Sequence, residues 1–197
     1  MRPNPWLEVG YQRTAAHTFV PQDHSGTGIM VALAPPKEVT DHLVLNDEHA
    51  EPEHDLHVTL AYLGKTGEYN SQQLADLPEV IDSWAEGKKP LRMAIQGSGT
   101  FLAPAEGEPH VLHALVNAPG LHRMQAHLVD HLKYYGYSPR ENHGYIPHIT
   151  LGYTKHDVRF LPKVQRKEWT AKDVWSAIGD RRQPHAFGGA GLHGGSP

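Results

Sequence analysis

Runs and alternations of hydrophobic residues divide this chain into short strands and two longer helices. Residues 27–34 form an apolar run stopped by Pro35-Pro36, which predicts a buried strand. Residues 37–46 predict a short helix. Residues 55–63 predict a second strand, with His57, Thr59, Ala61 and Leu63 on one face and Val58, Leu60 and Tyr62 packing inward. Leu74, Leu77, Ile81 and Trp84 recur at helical spacing, so 71–86 predicts a helix with Ser71 as N-cap, Gly87 as stop and a kink at Pro78. Residues 90–101 and 111–116 alternate again around Glu106-Gly107-Glu108, which predicts a hairpin over 91–116. Pro119 opens a helix to about Tyr135, with Leu121, Met124, Leu128 and Leu132 as its stripe and Gly136 as its end. Residues 143–154 predict another strand, and 168–187 a hairpin turning at Gly179-Asp180.

Helices interleaved with mostly antiparallel strands make an α+β fold rather than a regular βαβ repeat. Residues 1–26 carry three prolines and no periodicity and read as an extended N-terminal arm, with Trp6 and Tyr11 as anchors. Residues 27–187 form the domain. Residues 188–197 are Gly-rich and read as a flexible tail.

Two segments within the domain spell nearly the same letters. His57-Val58-Thr59-Leu60-Ala61-Tyr62 is echoed 91 residues later by His148-Ile149-Thr150-Leu151-Gly152-Tyr153. Residues two apart on a strand share a face, so each copy presents an imidazole and a hydroxyl together. Two such strands side by side suit proton transfer at a phosphate, with duplicated halves facing one cleft.

Composition narrows the options. The 197 residues suit one compact or two-lobed domain, and the absence of cysteine excludes disulfides and thiolate metal sites. It is compatible with a reducing compartment and points to the cytoplasm. A net charge of −4 argues against a sheath for long duplex nucleic acid and favours a small nucleotide or oligonucleotide partner. No apolar run is long enough for a membrane span, and the first residues lack a signal peptide's apolar core. With 16 histidines, no single one argues for catalysis, so the case rests on the duplication.

Leu56-His57-Val58-Thr59-Leu60-Ala61-Tyr62-Leu63-Gly64 and Pro147-His148-Ile149-Thr150-Leu151 resemble the two signatures of the 2H phosphoesterase superfamily, named for its pair of His-x-Thr motifs. That group includes 2′-5′ RNA ligase-like proteins, cyclic phosphodiesterases and some phage nucleases that degrade cyclic oligonucleotide signals. The resemblance implies two lobes of β-sheet with outer helices and a central cleft. It also implies catalysis without metal or other cofactor, with His57 and His148 as the catalytic pair and Thr59 and Thr150 as phosphate ligands. The chain departs from the pattern at Gly152-Tyr153, where many RNA ligase-like members carry Ala-Arg, which argues mildly against that branch. Lys155, Arg159 and Lys65 are the candidates for the missing cation.

Either histidine is near its pKa of about 6.5 at neutrality, so one can take a proton from the attacking water or hydroxyl while the other protonates the leaving oxygen. His57 is read as base and His148 as acid. Tyr145, three residues before His148, is a candidate for the cleft edge. Trp6, Tyr11, Trp169 and Trp175 are candidate stacking platforms. The competing readings are a metal site built on His127 and His131, with His54/His57 and His110/His113 as looser pairs, and a module that binds nucleotides without cleaving them. The oligomeric state cannot be read from this sequence.

Overall fold

The computed structural model describes residues 26–45, 49–103, 105–140, 144–155 and 162–188. Trp6 and Tyr11, the arm before Gly26, Arg159 and the tail after Gly188 lie outside the described residues. Among the described residues, eight strands form one sheet: β1 (Gly28–Leu33), β2 (Val58–Lys65), β3 (Leu91–Phe101), β4 (His110–Asn117), β5 (His148–Thr154), β6 (Glu168–Ala171), β7 (Asp173–Ile178) and β8 (Arg181–Ala186). The spatial order is β6-β3-β4-β5-β2-β1-β7-β8, and every neighbouring pair is antiparallel. Besides the one-turn helix α1 (Lys37–Thr40), the helices are α2 (Ser71–Glu86) and α3 (Leu121–Tyr134).

This is the α+β architecture read from sequence, and the duplication is visible in it. One half runs β8-β7-β1-β2 and the other β6-β3-β4-β5, each with a His-x-Thr strand on its inner edge. The halves are parts of one curled sheet, and connectivity forces the curl. β6 lies at one edge of the sheet and β7 next to the other, yet only Lys172 separates them in sequence. One residue spans about 3.5 Å, so the far edges must come round towards each other.

Val58, Leu60 and Ile149 are buried in one apolar core with Leu77, Ile81 and Trp84 of α2 and Leu121, Leu128 and Leu132 of α3. The helices therefore cover the face opposite the histidines. α2 packs on β7 and β8, and α3 on β2.

Several local expectations change. Simple alternation fails on β2, because its register against β1 skips Leu60 and Leu63. At such bulges the side-chain alternation is re-aimed. Leu63 joins the core, while Tyr62 is only half-buried beneath the Arg140 guanidinium. Asn70, not Ser71, caps α2: its Oδ1 accepts from Gln73 N at 2.8 Å, and Gln73 Oε1 accepts from Asn70 N at 3.1 Å. The helix runs on through Pro78. The stretch 168–187 is not a single hairpin, since β6 pairs with β3 and only β7 and β8 turn at Gly179. The helix expected over 37–46 is confined to Lys37–Thr40, and the second motif strand starts at His148.

A polar chain, buried at Ser176 and His185 and ending at the exposed Asp82, ties α2 to the β7–β8 hairpin. Ser176 Oγ donates to His185 Nε2 at 2.9 Å, and His185 Nδ1 donates to Asp82 Oδ1 at 2.7 Å. The order matches a hydrolytic triad in form, but Ser176 is 1% exposed and closed to substrate, so the chain acts as a latch. Replacing His185 with Phe strands the Ser176 hydroxyl in the core. We expect a loss of about 1–3 kcal/mol in a urea titration, with unchanged far-UV dichroism; an unaltered midpoint would rule out the latch.

Candidate active site

The site lies where the two halves join. β2 and β5 pair through Val58 opposite Ile149, both fully buried beneath the sheet. Carried outward by one residue, that antiparallel register sets His57 beside Thr150 and Thr59 beside His148. The four residues of the repeat thus share the face away from the core, each histidine diagonal to the other.

Both imidazoles are held in the same way. His57 Nδ1 donates to the Asp55 carbonyl at 2.5 Å, and His148 Nδ1 to the Ile146 carbonyl at 2.7 Å. In each case the acceptor is two residues back. A hydrogen bond from Nδ1 fixes the tautomer and leaves Nε2 for proton exchange. An aromatic edge braces each ring. Trp175 meets His57 at 5.5 Å between centroids, while Phe101 and His113 meet His148 at 4.9 and 5.4 Å.

The surroundings of the two rings differ. His57 is 7% exposed, and burial pushes its pKa from 6.5 to about 4. The hydrogen bond to Asp55 opposes this fall, and positive charge on Arg182 and His148 adds to it. Arg182 reaches in from β8, donating from Nη1 to the His54 carbonyl at 2.7 Å and from Nη2 to Asp55 Oδ1. It lies over the Trp175 ring, 4.9 Å from the centroid. It therefore fixes the 3-10 turn Glu53–Asp55, whose last carbonyl holds His57. His148 is only half-buried.

His113 is a third histidine here that the motif reading did not single out. It lies opposite Thr150 on β4, stacks on Phe101 at 4.0 Å, and is 3% exposed. Burial, with charge on His148, pushes its pKa to about 4, partly offset by the Val111 carbonyl. Its ring fits because residue 99 is glycine: a Cβ there would stand 2.6 Å from His113 Nε2.

Other candidates lie elsewhere. Lys65 ends β2 and Lys155 follows β5, each roughly 20 Å or more from its own motif's histidine at about 3.3 Å per residue. Tyr145 packs against the core and meets His122 of α3 edge-on at 5.5 Å, away from the cleft. Trp169 is buried in the core. His127 accepts from Trp84 Nε1 at 3.1 Å and His131 bonds the Val80 carbonyl at 2.9 Å, so that pair joins α3 to α2. His110 accepts from Ala103 N at 2.9 Å. Among the described residues no group of three or more His, Asp or Glu is placed to hold a metal ion.

The model of one family, the 2′-5′ RNA ligase superfamily, matches residues 32–181, which contain both histidine motifs. The chain belongs to the 2′-5′ RNA ligase superfamily. Gly152, where the chain departs from the RNA ligase-like pattern, has a local reason in this fold. A Cβ at Gly152 would stand 2.7 Å from the His49 carbonyl oxygen, because residues 49–51 lie against β5 there, and that close approach requires glycine. Solved structures share the superfamily fold. TT0787 of Thermus thermophilus is 24% identical with a TM-score of 0.61, over 83% of this chain and 100% of that one. Escherichia coli LigT, complexed with 3′-AMP, is 18% identical with a TM-score of 0.60, over 80% and 94%. Kluyveromyces marxianus Usb1, with uridine monophosphate, is 10% identical with a TM-score of 0.51, over 83% and 100%. No curated protein matches the chain. As a member of this superfamily it is an enzyme of the phosphoesterase type. No helix among the described residues is long and apolar enough to cross a membrane.

Buried histidines make stability depend on pH. His57 and His113 have folded pKa values of about 4, below the ordinary 6.5, so protonation favours the unfolded chain. Stability from this source is complete above pH 6.5 and is lost as pH falls towards 4. Urea midpoints between pH 7 and 4 should fall less steeply for His57→Gln and His113→Gln than for the parent. Equal slopes would contradict the assignment.

Proposed function

We propose that this protein is a metal-independent phosphodiesterase that opens a cyclic phosphodiester of a nucleotide or small oligonucleotide. In the proposed reaction His57 is the general base and His148 the general acid. The observation that carries the reading is the matched pair of imidazoles, each tied at Nδ1 to the carbonyl two residues back, across a seam that also carries two threonines. A nucleotide substrate is consistent with the LigT and Usb1 complexes, whose ligands are 3′-AMP and uridine monophosphate.

His57 Nε2 takes a proton from the attacking water or hydroxyl as its oxygen bonds to phosphorus. The bond from phosphorus to the leaving oxygen breaks, and His148 Nε2–H supplies that oxygen's proton. The Thr59 and Thr150 hydroxyls donate to the non-bridging oxygens, where charge is held in the transition state. Burial and the Arg182 charge keep His57 neutral, the form a base requires, and the acid's part falls to His148, the more open of the two. Arg182 is the cation beside the pair that the motif alone does not provide.

The test is a chromatographic turnover assay in EDTA. Its panel holds nucleoside 2′,3′-cyclic phosphates, 3′-5′ cyclic di- and trinucleotides, and short 2′-5′-linked RNA. We expect one class to be cleaved with EDTA present, and His57→Ala or His148→Ala each to lower kcat roughly 10²–10⁴-fold. Loss of activity in EDTA that added metal restores would overturn metal independence. A ligand recovered bound and intact would replace the enzyme with a binding module. Thr59→Val and Thr150→Val should lower kcat more than they raise KM. The acidic limb of kcat/KM should lie well below pH 6.5, towards the His57 value of about 4; a limb at 6.5 or above would remove His57 as the base.

A further inference from the structure

The duplicated halves are unequal beside their histidines. In the half that carries His148, the strand next to the motif presents His113, and the following strand presents Gly99 beneath it, with Phe101 stacked on the ring. That side is filled. In the half that carries His57, the corresponding strand presents Ala32 opposite Thr59, and the next strand presents Trp175 opposite Ala32. The large and small residues have changed places. One step further along β1, the register sets Ala34 beside His57. The result is an open recess of about 210 Å³ lined by Ala34, His54, Leu56, Trp175, Arg182 and Pro184.

We propose that this recess is the docking site for a nucleobase of the substrate. The proposal rests on the reading that the substrate is a nucleotide. The lining suits a flat aromatic heterocycle, with the Arg182 guanidinium, backed by the Trp175 ring, as its flat cationic surface and Pro184, Leu56 and Ala34 as apolar walls. The platform is also set in advance. Arg182 is held over Trp175 by its bonds to the His54 carbonyl and Asp55, so little ordering is required when a base arrives. Trp175 touches His57 edge-on, so a base seated here places its own ribose phosphate towards the paired histidines. Where the diester joins two nucleosides, this recess takes the one on the His57 side.

The experiment compares adenosine 3′-phosphate with ribose 3-phosphate on the full chain, by NMR titration. The Trp175 indole N–H signal, assigned with Trp175→Phe, reports on the recess. The base should raise affinity by roughly 5- to 150-fold, the range for one stacked base, and only adenosine 3′-phosphate should shift the Trp175 signal strongly. Ala34→Trp, or Pro184→Trp on the exposed edge strand if the first does not fold, should reduce that affinity ratio at least severalfold. A ratio near one, an unmoved Trp175 signal, or no binding of either ligand overturns the proposal. Base-dependent binding without turnover of any diester would sink the phosphodiesterase reading and leave the recess standing. Turnover with base-blind binding would do the reverse.

Discussion

The two halves of the sheet are joined through Val58 opposite Ile149, and that contact determines the geometry of the site. Beneath the sheet both side chains are fully buried in a core shared with α2 and α3. Above it the neighbouring residues are the histidines and threonines of the repeat. A one-residue change of register would exchange the faces, putting imidazoles in the core and Val58 and Ile149 in the cleft. Burial of two aliphatic side chains therefore holds four polar ones in register. The curl imposed by the single-residue link at Lys172 shapes the rest of the sheet around that seam.

Duplication supplies two like groups, whereas the proposed acid–base chemistry needs two unlike ones. The structure separates them by environment. His57 sits against Trp175 and near the Arg182 guanidinium, dry and beside a positive charge. His148 is more open to solvent and rests against Phe101 and His113. Identical tethers at Nδ1 keep the rings geometrically equivalent while their surroundings differ in burial and in nearby charge. The same inequality leaves one side of the cleft filled and the other open.

The strand and helix order, the α+β class and the paired motif were legible because each is local: periodicity, a turn residue or an eight-residue echo. Residues brought together only by pairing of distant strands were not. Arg182 reaches the site from β8, Trp175 from β7 and His113 from β4, and no spacing links them to His57 or His148. One signal was present for His113, the run of small residues Gly97-Ser98-Gly99 within a strand, but its meaning depends on register. Lys65 and Lys155 looked close to the motifs in sequence, yet an extended strand carries each away from the site. The bulges on β2 likewise broke an alternation that the sequence displays cleanly.

The central claim is that His57 and His148 act together in one proton-relayed step, and a double-mutant comparison of kcat tests it most directly. If the two act as a unit, the variant with both His57→Ala and His148→Ala should be only a fewfold slower than the worse single variant, because removing either partner already disables the step. Losses that multiply, or a single variant that keeps the parental rate, would contradict the two-histidine mechanism.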